Sequence, residues 1–323
     1  MFTMRFGMRA TMSDADGRAD LYRAALDMAA WGEVHGCLSA VVSEHHASDD
    51  GYLPSPVPMA AALAARTTTL PIIVGALLLI FYEPVKLAED LAVVDHLSRG
   101  RVSYIIGIGY RSEELEMFGV DRRGRGGLAE ERIAFLRRAW TGEPVEVDGR
   151  RALVRPLPFT HGGPVLAYGG GSEAAARRAG RLGMPFVAEK PHAELERAYR
   201  SEAAAAGVDA PGCVLPSPES PPTVFVAEDP DRAWDEIGEY LLVDALGYGR
   251  WFSGRELSTS VSRAKTIDEL RAEHGPYQII TPADAAAHVG RGFPLALQPL
   301  VGGLPPSLAW PYLEAAAAAA ATG

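Results

Sequence analysis

Short apolar runs alternate with longer amphipathic segments from one end of the chain to the other. Continuous apolar runs of this kind are typical of strands buried on both faces of a parallel sheet. They predict strands at residues 5–9, 37–43, 70–79, 102–108, 165–168, 186–188, 223–226 and 295–298. The segments between them predict helices at 19–34, 57–65, 84–97, 128–140, 192–206, 231–246 and 305–321, with one more after Ser172.

This strict alternation of strand and helix favours an α/β fold of the closed (β/α)8 type, the TIM barrel, over an open doubly wound sheet. An open sheet that binds dinucleotides usually carries a glycine-rich fingerprint after its first strand, and that fingerprint is absent here. We therefore expect residues 1–323 to form a single barrel domain.

Three stretches depart from the alternation. Residues 144–155 predict a hairpin that turns at Asp148-Gly149, because this dipeptide suits a two-residue turn. The proline-rich residues 211–222 predict a loop. Residues 247–293 predict an insertion before the last strand, with helices at 266–273 and after Pro282, where Thr281 provides the cap.

Composition excludes several classes of protein. The net charge of −10 argues against a nucleic-acid or anionic-membrane partner. Two cysteines make no disulfide framework, and together with an N-terminus unlike a signal peptide they favour the reducing cytoplasm. The longest apolar stretch, residues 70–81, is too short to span a bilayer.

The end of the fifth predicted strand is the strongest candidate for a ligand site. Tyr168 is followed by Gly169, Gly170 and Gly171, and then by Ser172 at the N-cap position of a helix. Glycines let the backbone approach a ligand, and unpaired N–H groups with the helix dipole attract an anion such as a phosphate. A tight strand-to-helix turn that binds nothing is the alternative.

The second strand ends in Glu44-His45-His46, and strand alternation puts His45 on the opposite side from its two neighbours. A histidine at this edge is suited to moving a proton or to donating to a substrate oxygen. Metal ligation or a purely structural role are the alternatives, and we see no partners with the spacing of metal ligands.

The third and fourth strands end in residues that suit a flat ring and a phosphate. Gly75 to Leu79 offers only backbone and apolar surface, a suitable wall for an aromatic ring or simply core. Gly107-Ile108-Gly109 is followed by a loop with Arg122, Arg123 and Arg125, which suits a phosphate or is a solvated charged loop. The chain shows no Gly-x-Ser-x-Gly elbow, activated cysteine or Walker A pattern, so a bound cofactor would carry the chemistry.

At this point the sequence resembles the bacterial luciferase-like flavin-dependent monooxygenases. The matching segments follow the family's order at 43–46, 50–56, 84–95, 97–101, 107–110, 117–119, 140–142, 169–172 and 299–305. The most specific is Ala-Glu-Asp at 88–90 followed by Asp-x-x-Ser-x-Gly-Arg at 95–101. The resemblance covers most of the chain and implies a luciferase-like barrel with reduced flavin in its mouth.

The resemblance also assigns roles to positions. It places His45 on the family's catalytic histidine, Gly171 and Ser172 on its phosphate loop and Arg125 near its phosphate arginine. It places Leu77-Leu78 where the family often has a non-proline cis peptide under the isoalloxazine. Two positions depart from the family: Ile108 replaces an arginine, and Gly107 replaces the reactive cysteine of the luciferases.

From the strand ends and the resemblance together, two sets of site residues are predicted. The catalytic set is His45, His46 and Glu44, with no metal. The cofactor set is Gly75, Ala76, Leu77, Leu78, Gly107, Ile108, Arg125, Tyr168, Gly169, Gly170, Gly171 and Ser172.

The resemblance implies a monooxygenase that uses O2 and reduced FMN, supplied by a separate flavin reductase, on a small organic substrate. Two alternatives stay open: a hydride-transfer enzyme that uses a deazaflavin coenzyme, and a non-catalytic flavin-binding subunit. A homodimer or heterodimer is expected through the helices at 57–65 and 84–97, which are rich in alanine and leucine.

Overall fold

A computed structural model describes residues 1–10, 15–252 and 258–323. The strands are β1 Phe2–Phe6, β2 Cys37–Val42, β3 Ile72–Leu78, β4 Val102–Gly107, β5 Val145–Val147, β6 Arg150–Ala152, β7 Leu166–Gly170, β8 Phe186–Ala188, β9 Cys213–Val214, β10 Thr223–Val226, β11 Tyr277–Ile280 and β12 Leu295–Leu297. The helices are α1 Ala15–Glu33, α2 Pro56–Arg66, α3 Pro84–Ser98, α4 Ser112–Met117, α5 Arg125–Ala139, α6 Glu173–Arg181, α7 Ala193–Ala206, α8 Pro230–Trp251, α9 Ile267–Ala272, α10 Pro282–Gly290 and α11 Pro306–Thr322.

The main sheet has eight parallel strands that curl in the order β12-β1-β2-β3-β4-β7-β8-β9. Outside it, β10 and β11 form a parallel pair, and β5 and β6 form an antiparallel hairpin. The pair lies against the main sheet, because Gln298 Nε2 after β12 donates to Thr223 Oγ1 of β10 at 2.5 Å. The predicted parallel α/β architecture is thus confirmed. The two edge strands of the main sheet are β9 and β12.

The predicted loop at 211–222 contains β9, which pairs with β8 in the place expected for the seventh strand at residues 223–226. A two-residue strand among prolines leaves almost no periodicity to detect. The predicted insertion contains a further strand, β11, and the helix expected to stop at residue 246 continues to Trp251. Gly247 interrupted the pattern, yet it serves packing, because a Cβ there would lie 1.9 Å from Arg9 Nη1.

Several local predictions are confirmed. The hairpin turns at Asp148 and Gly149, with φ of 49° and 71°, the left-handed backbone that this turn requires. Thr281 caps α10 by accepting a hydrogen bond from the backbone of Asp284 at 3.2 Å. Within the described residues, no helix is both long enough and apolar enough to cross a membrane.

The main sheet has one face packed on helices and one face that is partly open. Met4 lies against Gly32 of α1, and the Phe186 ring stacks on Tyr199 of α7 at 6.1 Å. We call the opposite side the inner face; its residues in register are only half-buried, and they are Arg5, Val41, Ile73, Ser103, Gly75, Ile105 and Ala167. Side chains in a close-packed interior are almost fully buried. The half-buried residues of the inner face therefore border open space.

Candidate functional site

His45 follows β2 at the carboxyl edge of the sheet and lies among aromatic rings. Its ring centroid is 4.4 Å from Trp251, 5.0 Å from Tyr52 and 5.5 Å from Tyr110. The residue is 8% exposed, and its Nε2 lies 3.5 Å from the Tyr110 hydroxyl. These contacts fix the ring at the carboxyl edge of the sheet, which we call the mouth of the sheet.

The other ring nitrogen of His45 is engaged by Glu114 of α4. Nδ1 lies 2.9 Å from Glu114 Oε1, and the same oxygen accepts from the backbone N–H of His46 at 2.9 Å. Burial alone would raise the pKa of Glu114, but these hydrogen bonds and the charge of Arg111 hold it below its ordinary value. Glu114 is therefore a carboxylate that accepts a hydrogen bond from Nδ1–H, which leaves Nε2 as the acceptor of the ring.

Burial lowers the pKa of His45, against the opposing effect of the Glu114 carboxylate. The imidazole is therefore neutral at pH 7. A neutral ring with a fixed tautomer is the form that a general base needs before it takes a proton.

Glu44 and His46 lie apart from this arrangement, on the side that strand alternation predicts. His46 Nε2 is 2.7 Å from Glu44 Oε1, and its ring contacts Phe118 at 4.7 Å. Glu44 Oε2 accepts from the backbone N–H of Leu78 at 2.7 Å. Burial raises the pKa of Glu44, and both of its oxygens are bonded within the protein. Glu44 thus holds the end of β3 in place.

The end of β3 forms a flat surface of small residues. The non-proline cis peptide is Gly75–Ala76, so the position expected at Leu77-Leu78 is corrected by two residues. A Cβ at Gly107 of β4 would lie 2.9 Å from that of Ala76 and 3.1 Å from Leu78 Cδ2. Glycine at 107 is required by this close approach of β3 and β4.

The glycine loop after β7 has the geometry that its sequence predicted. Ser172 caps α6, accepting from the backbone N–H of Ala175 at 3.3 Å. A Cβ at Gly171 would lie 3.1 Å from Glu189 Oε2 and 3.4 Å from Lys190 Cε. The loop therefore has a cation and a carboxyl group beside it. Burial raises the pKa of Glu189, and the charge of Lys190 opposes this effect.

Three other residues of the predicted cofactor set lie in different surroundings. Arg125 begins α5, whose first turn lies beside α6, because Arg178 of α6 covers Gly126. Tyr168 is fully buried on the helix side of the sheet. Ile108 packs into the apolar cluster outside the mouth. Of these three side chains, Arg125 is the one on a helix that begins beside α6.

Sequence reasoning missed most of the groups around His45. Glu114 lies on a six-residue helix too short to show a pattern, although Tyr110 belongs to the segment 107–110 that matches the family. Tyr248 and Trp251 come from the end of α8, in a stretch that had been assigned to an insertion. In the part of the chain that the structure describes, no cluster of three or more His, Cys, Asp or Glu side chains is arranged to hold a metal ion.

Comparison with known proteins gives one family. A sequence profile of luciferase-like monooxygenases matches residues 4–295. The chain is 27% identical to an alkanal monooxygenase alpha chain of Photorhabdus luminescens over 45% of this chain and 41% of that one. It is 32% identical to the F420-dependent glucose-6-phosphate dehydrogenase of Nocardia farcinica, over 51% and 52%. These matches span about half of each relative's length.

Solved structures resemble the fold over nearly the whole chain. The monooxygenase RslO1 from Streptomyces bottropensis superposes with a TM-score of 0.74 at 23% identity, covering 98% of both chains. The oxygenating constituent of 3,6-diketocamphane monooxygenase from Pseudomonas putida, solved with FMN, gives a TM-score of 0.69 at 20% identity, covering 98% of this chain and 96% of that one. At these identities the likeness is one of fold.

Proposed function

Because the chain belongs to the luciferase-like monooxygenase family, we propose that it is a monooxygenase that uses reduced FMN and O2 to oxidise a small organic substrate. The observation that carries the proposal is His45, a neutral imidazole held by Glu114, with Nε2 left as an acceptor in the mouth of the sheet. The small-residue surface at Gly75–Ala76 lies at the same edge, at the end of the adjacent β3. A base and a ring-sized surface are thus brought together.

The residues present fit a flavin with a terminal phosphate. Reduced FMN, when bound, supplies the electrons with which O2 is activated. The backbone N–H groups of Gly170 and Gly171, the start of α6 and Arg125 would hold the phosphate. Gly75, Ala76 and Gly107 would support the ring, because these three positions carry at most one side-chain carbon. Leu77 and Leu78 would contribute through packing and backbone only, since both are buried.

His45 would take a proton from the substrate while Glu114 stabilises the imidazolium that forms. Replacing it by alanine should leave FMN affinity nearly unchanged, because the phosphate site lies on another strand. Turnover should fall about 100-fold, the scale expected for the loss of one acid–base group. A His45→Ala enzyme that binds FMN and works at the wild-type rate would transfer the role to His46.

The second candidate function is hydride transfer with a deazaflavin coenzyme. The 32% identity to an F420-dependent dehydrogenase favours it. The two functions differ in their use of oxygen, so O2 consumption during turnover separates them. A non-catalytic flavin-binding subunit has no need for the His45–Glu114 pair, and any turnover that depends on His45 would exclude it.

Three further features belong to the proposal. A separate flavin reductase would supply reduced FMN, since the chain lacks the nicotinamide fingerprint. The chain would dimerise through α2 and α3; α3 leaves Val93 46% and Leu97 52% exposed. The sheet would act as a closed barrel with β10 completing it. The insertion predicted at 247–293, of which residues 253–257 lie outside the described part of the chain, would shape the substrate pocket, since Tyr248 and Trp251 contact the His45 ring.

A further inference from the structure

Arg5 extends from β1 on the inner face and ends among hydroxyl groups. Its Nε donates to Ser43 Oγ at 3.2 Å, and its Nη2 donates to the hydroxyls of Tyr52, at 3.3 Å, and Tyr248. No carboxylate of the described residues lies within hydrogen-bonding distance of it. The neighbouring Arg9 is the opposite case, ion-paired with both Asp50 and Asp244 and 1% exposed.

One nitrogen of the Arg5 guanidinium, Nη1, makes no hydrogen bond to the described residues. The group carries five N–H donors, and the acceptors above use Nε and Nη2. Nη1 has no acceptor among the described residues, and it is not among the enclosed polar atoms that lack partners. The half-buried neighbours of Arg5 in register, Val41, Ile73 and Ser103, border the same space. Nη1 therefore borders the accessible space on the inner face, where two of these three neighbours are apolar, and we call this space the cavity.

The nearby carboxylates do not form an ion pair with Arg5. Asp244 attracts Arg5 from a distance. One Asp244 oxygen, however, lies 2.8 Å from Arg9 Nε, and the other accepts from Tyr277 at 2.8 Å. The charge is balanced across the cluster, but Nη1 still lacks a ligand. An anionic oxygen that enters the cavity would make a charge-assisted hydrogen bond there, which is stronger than one between neutral groups.

The strand order separates Arg5 from the proposed cofactor contacts. In the sequence β1-β2-β3-β4-β7, β3 is central, with the glycine loop of β7 on one side and Arg5 of β1 on the other. A cofactor that runs from the β7 loop to the β3 surface leaves the β1 side free. That side adjoins His45, whose ring is 5.0 Å from the Tyr52 ring that contacts Arg5.

We propose that Arg5 binds the carboxylate of the organic substrate, so that the substrate class is a small organic acid whose apolar body lies against Val41, Ile73 and Ile105. The inference rests on the proposed function for the placement of the cofactor. It makes Arg5 a specificity-determining residue and puts the body of the acid within reach of His45.

The test compares benzoate with benzamide, which have nearly the same shape and differ in charge, by calorimetric titration of the full chain. Benzoate should bind at least about 10-fold more tightly, the scale of a hydrogen bond between charged groups. Arg5→Met should bring the two within about twofold of each other, because methionine fills the space without the charge. Arg5→Lys should restore part of the preference. Arg66→Met, at a residue whose side chain is 54% exposed, is the matched control and should keep the wild-type preference.

The inference is overturned if the wild-type protein binds the two probes equally or binds neither, or if Arg5→Met keeps the preference. If Arg5→Met does not fold by circular dichroism, the wild-type comparison and Arg5→Lys decide. FMN titration of the same variants separates this inference from the proposed function. Loss of FMN affinity in Arg5→Met without any benzoate preference would make Arg5 a cofactor ligand and refute the inference alone. A benzoate preference in a protein that binds no flavin would support the anion site and refute the proposed function.

Discussion

The protonation of His45 is the feature of the site that can be tested without knowing the substrate. We predict a neutral ring at pH 7 with its proton on Nδ1, donated to Glu114 at 2.9 Å. Burial lowers the pKa of the ring, and the carboxylate works against that effect. Nitrogen-15 NMR of the ring nitrogens distinguishes the two tautomers directly, and the His45→Ala spectrum assigns the signals.

The perturbation is Glu114→Gln, with Glu113→Gln as the matched control because Glu113 is the adjacent, exposed carboxylate of the same helix. A hydrogen bond to a charged group contributes about 1.5–3 kcal/mol. Losing the charge should remove a similar amount of stabilisation from the imidazolium form and slow proton transfer by about 10- to 100-fold. The control should change neither the tautomer nor the rate.

The direction of the pH effect follows from the same contact. Activity that needs the neutral ring rises with pH through the pKa of His45, which lies below its ordinary value. Without the carboxylate the imidazolium is less stable, so Glu114→Gln should move this rise to still lower pH while reducing the plateau. A proton on Nε2 at pH 7, or a titration of His45 that is the same in both proteins, would refute the reasoning.

Two other predictions concern the phosphate site and the surface. Ser172→Asp should weaken FMN binding by about 1–3 kcal/mol in a fluorescence titration, because aspartate keeps the helix cap but repels a phosphate. The control Ser172→Asn provides an uncharged cap and should bind FMN nearly as tightly as the wild type. Equal FMN affinities of the aspartate variant and the wild type would place the phosphate elsewhere. Leu97 lies on the exposed side of α3, and Leu97→Glu should shift the protein to the monomer in sedimentation at micromolar concentration. The control Val34→Glu, at an exposed residue outside α2 and α3, should leave the dimer unchanged. A Leu97→Glu protein that stays dimeric, or a monomeric wild type, would contradict the proposed interface.

Local features of the fold were predictable because their signals lie within a few residues. The turn at Asp148-Gly149, the cap at Ser172 and the apolar strand ending at Gly107 each follow from backbone or packing preferences of adjacent positions. β9 was missed because two residues among prolines show no alternation, and β11 was missed because it lies within the stretch predicted to be an insertion.

The candidate site could be predicted at its centre but not around it. His45 was found because it stands at a strand end and resembles a family position. Arg5, Glu114 and Trp251 converge on it from distant parts of the chain, and no pattern in a single sequence records which distant side chains meet. Only the three-dimensional structure shows that the short helix carrying Glu114 and the end of α8 lie beside His45.

Cofactor binding tests the central claim most directly. Purified protein titrated anaerobically with reduced FMN, and in parallel with a reduced 8-hydroxy-5-deazaflavin coenzyme, gives two affinities under the same conditions. FMN should bind at least about 10-fold more tightly, a difference of about 1.4 kcal/mol, and Ser172→Asp should remove this advantage. Tighter binding of the deazaflavin, or no binding of either, would contradict the central claim.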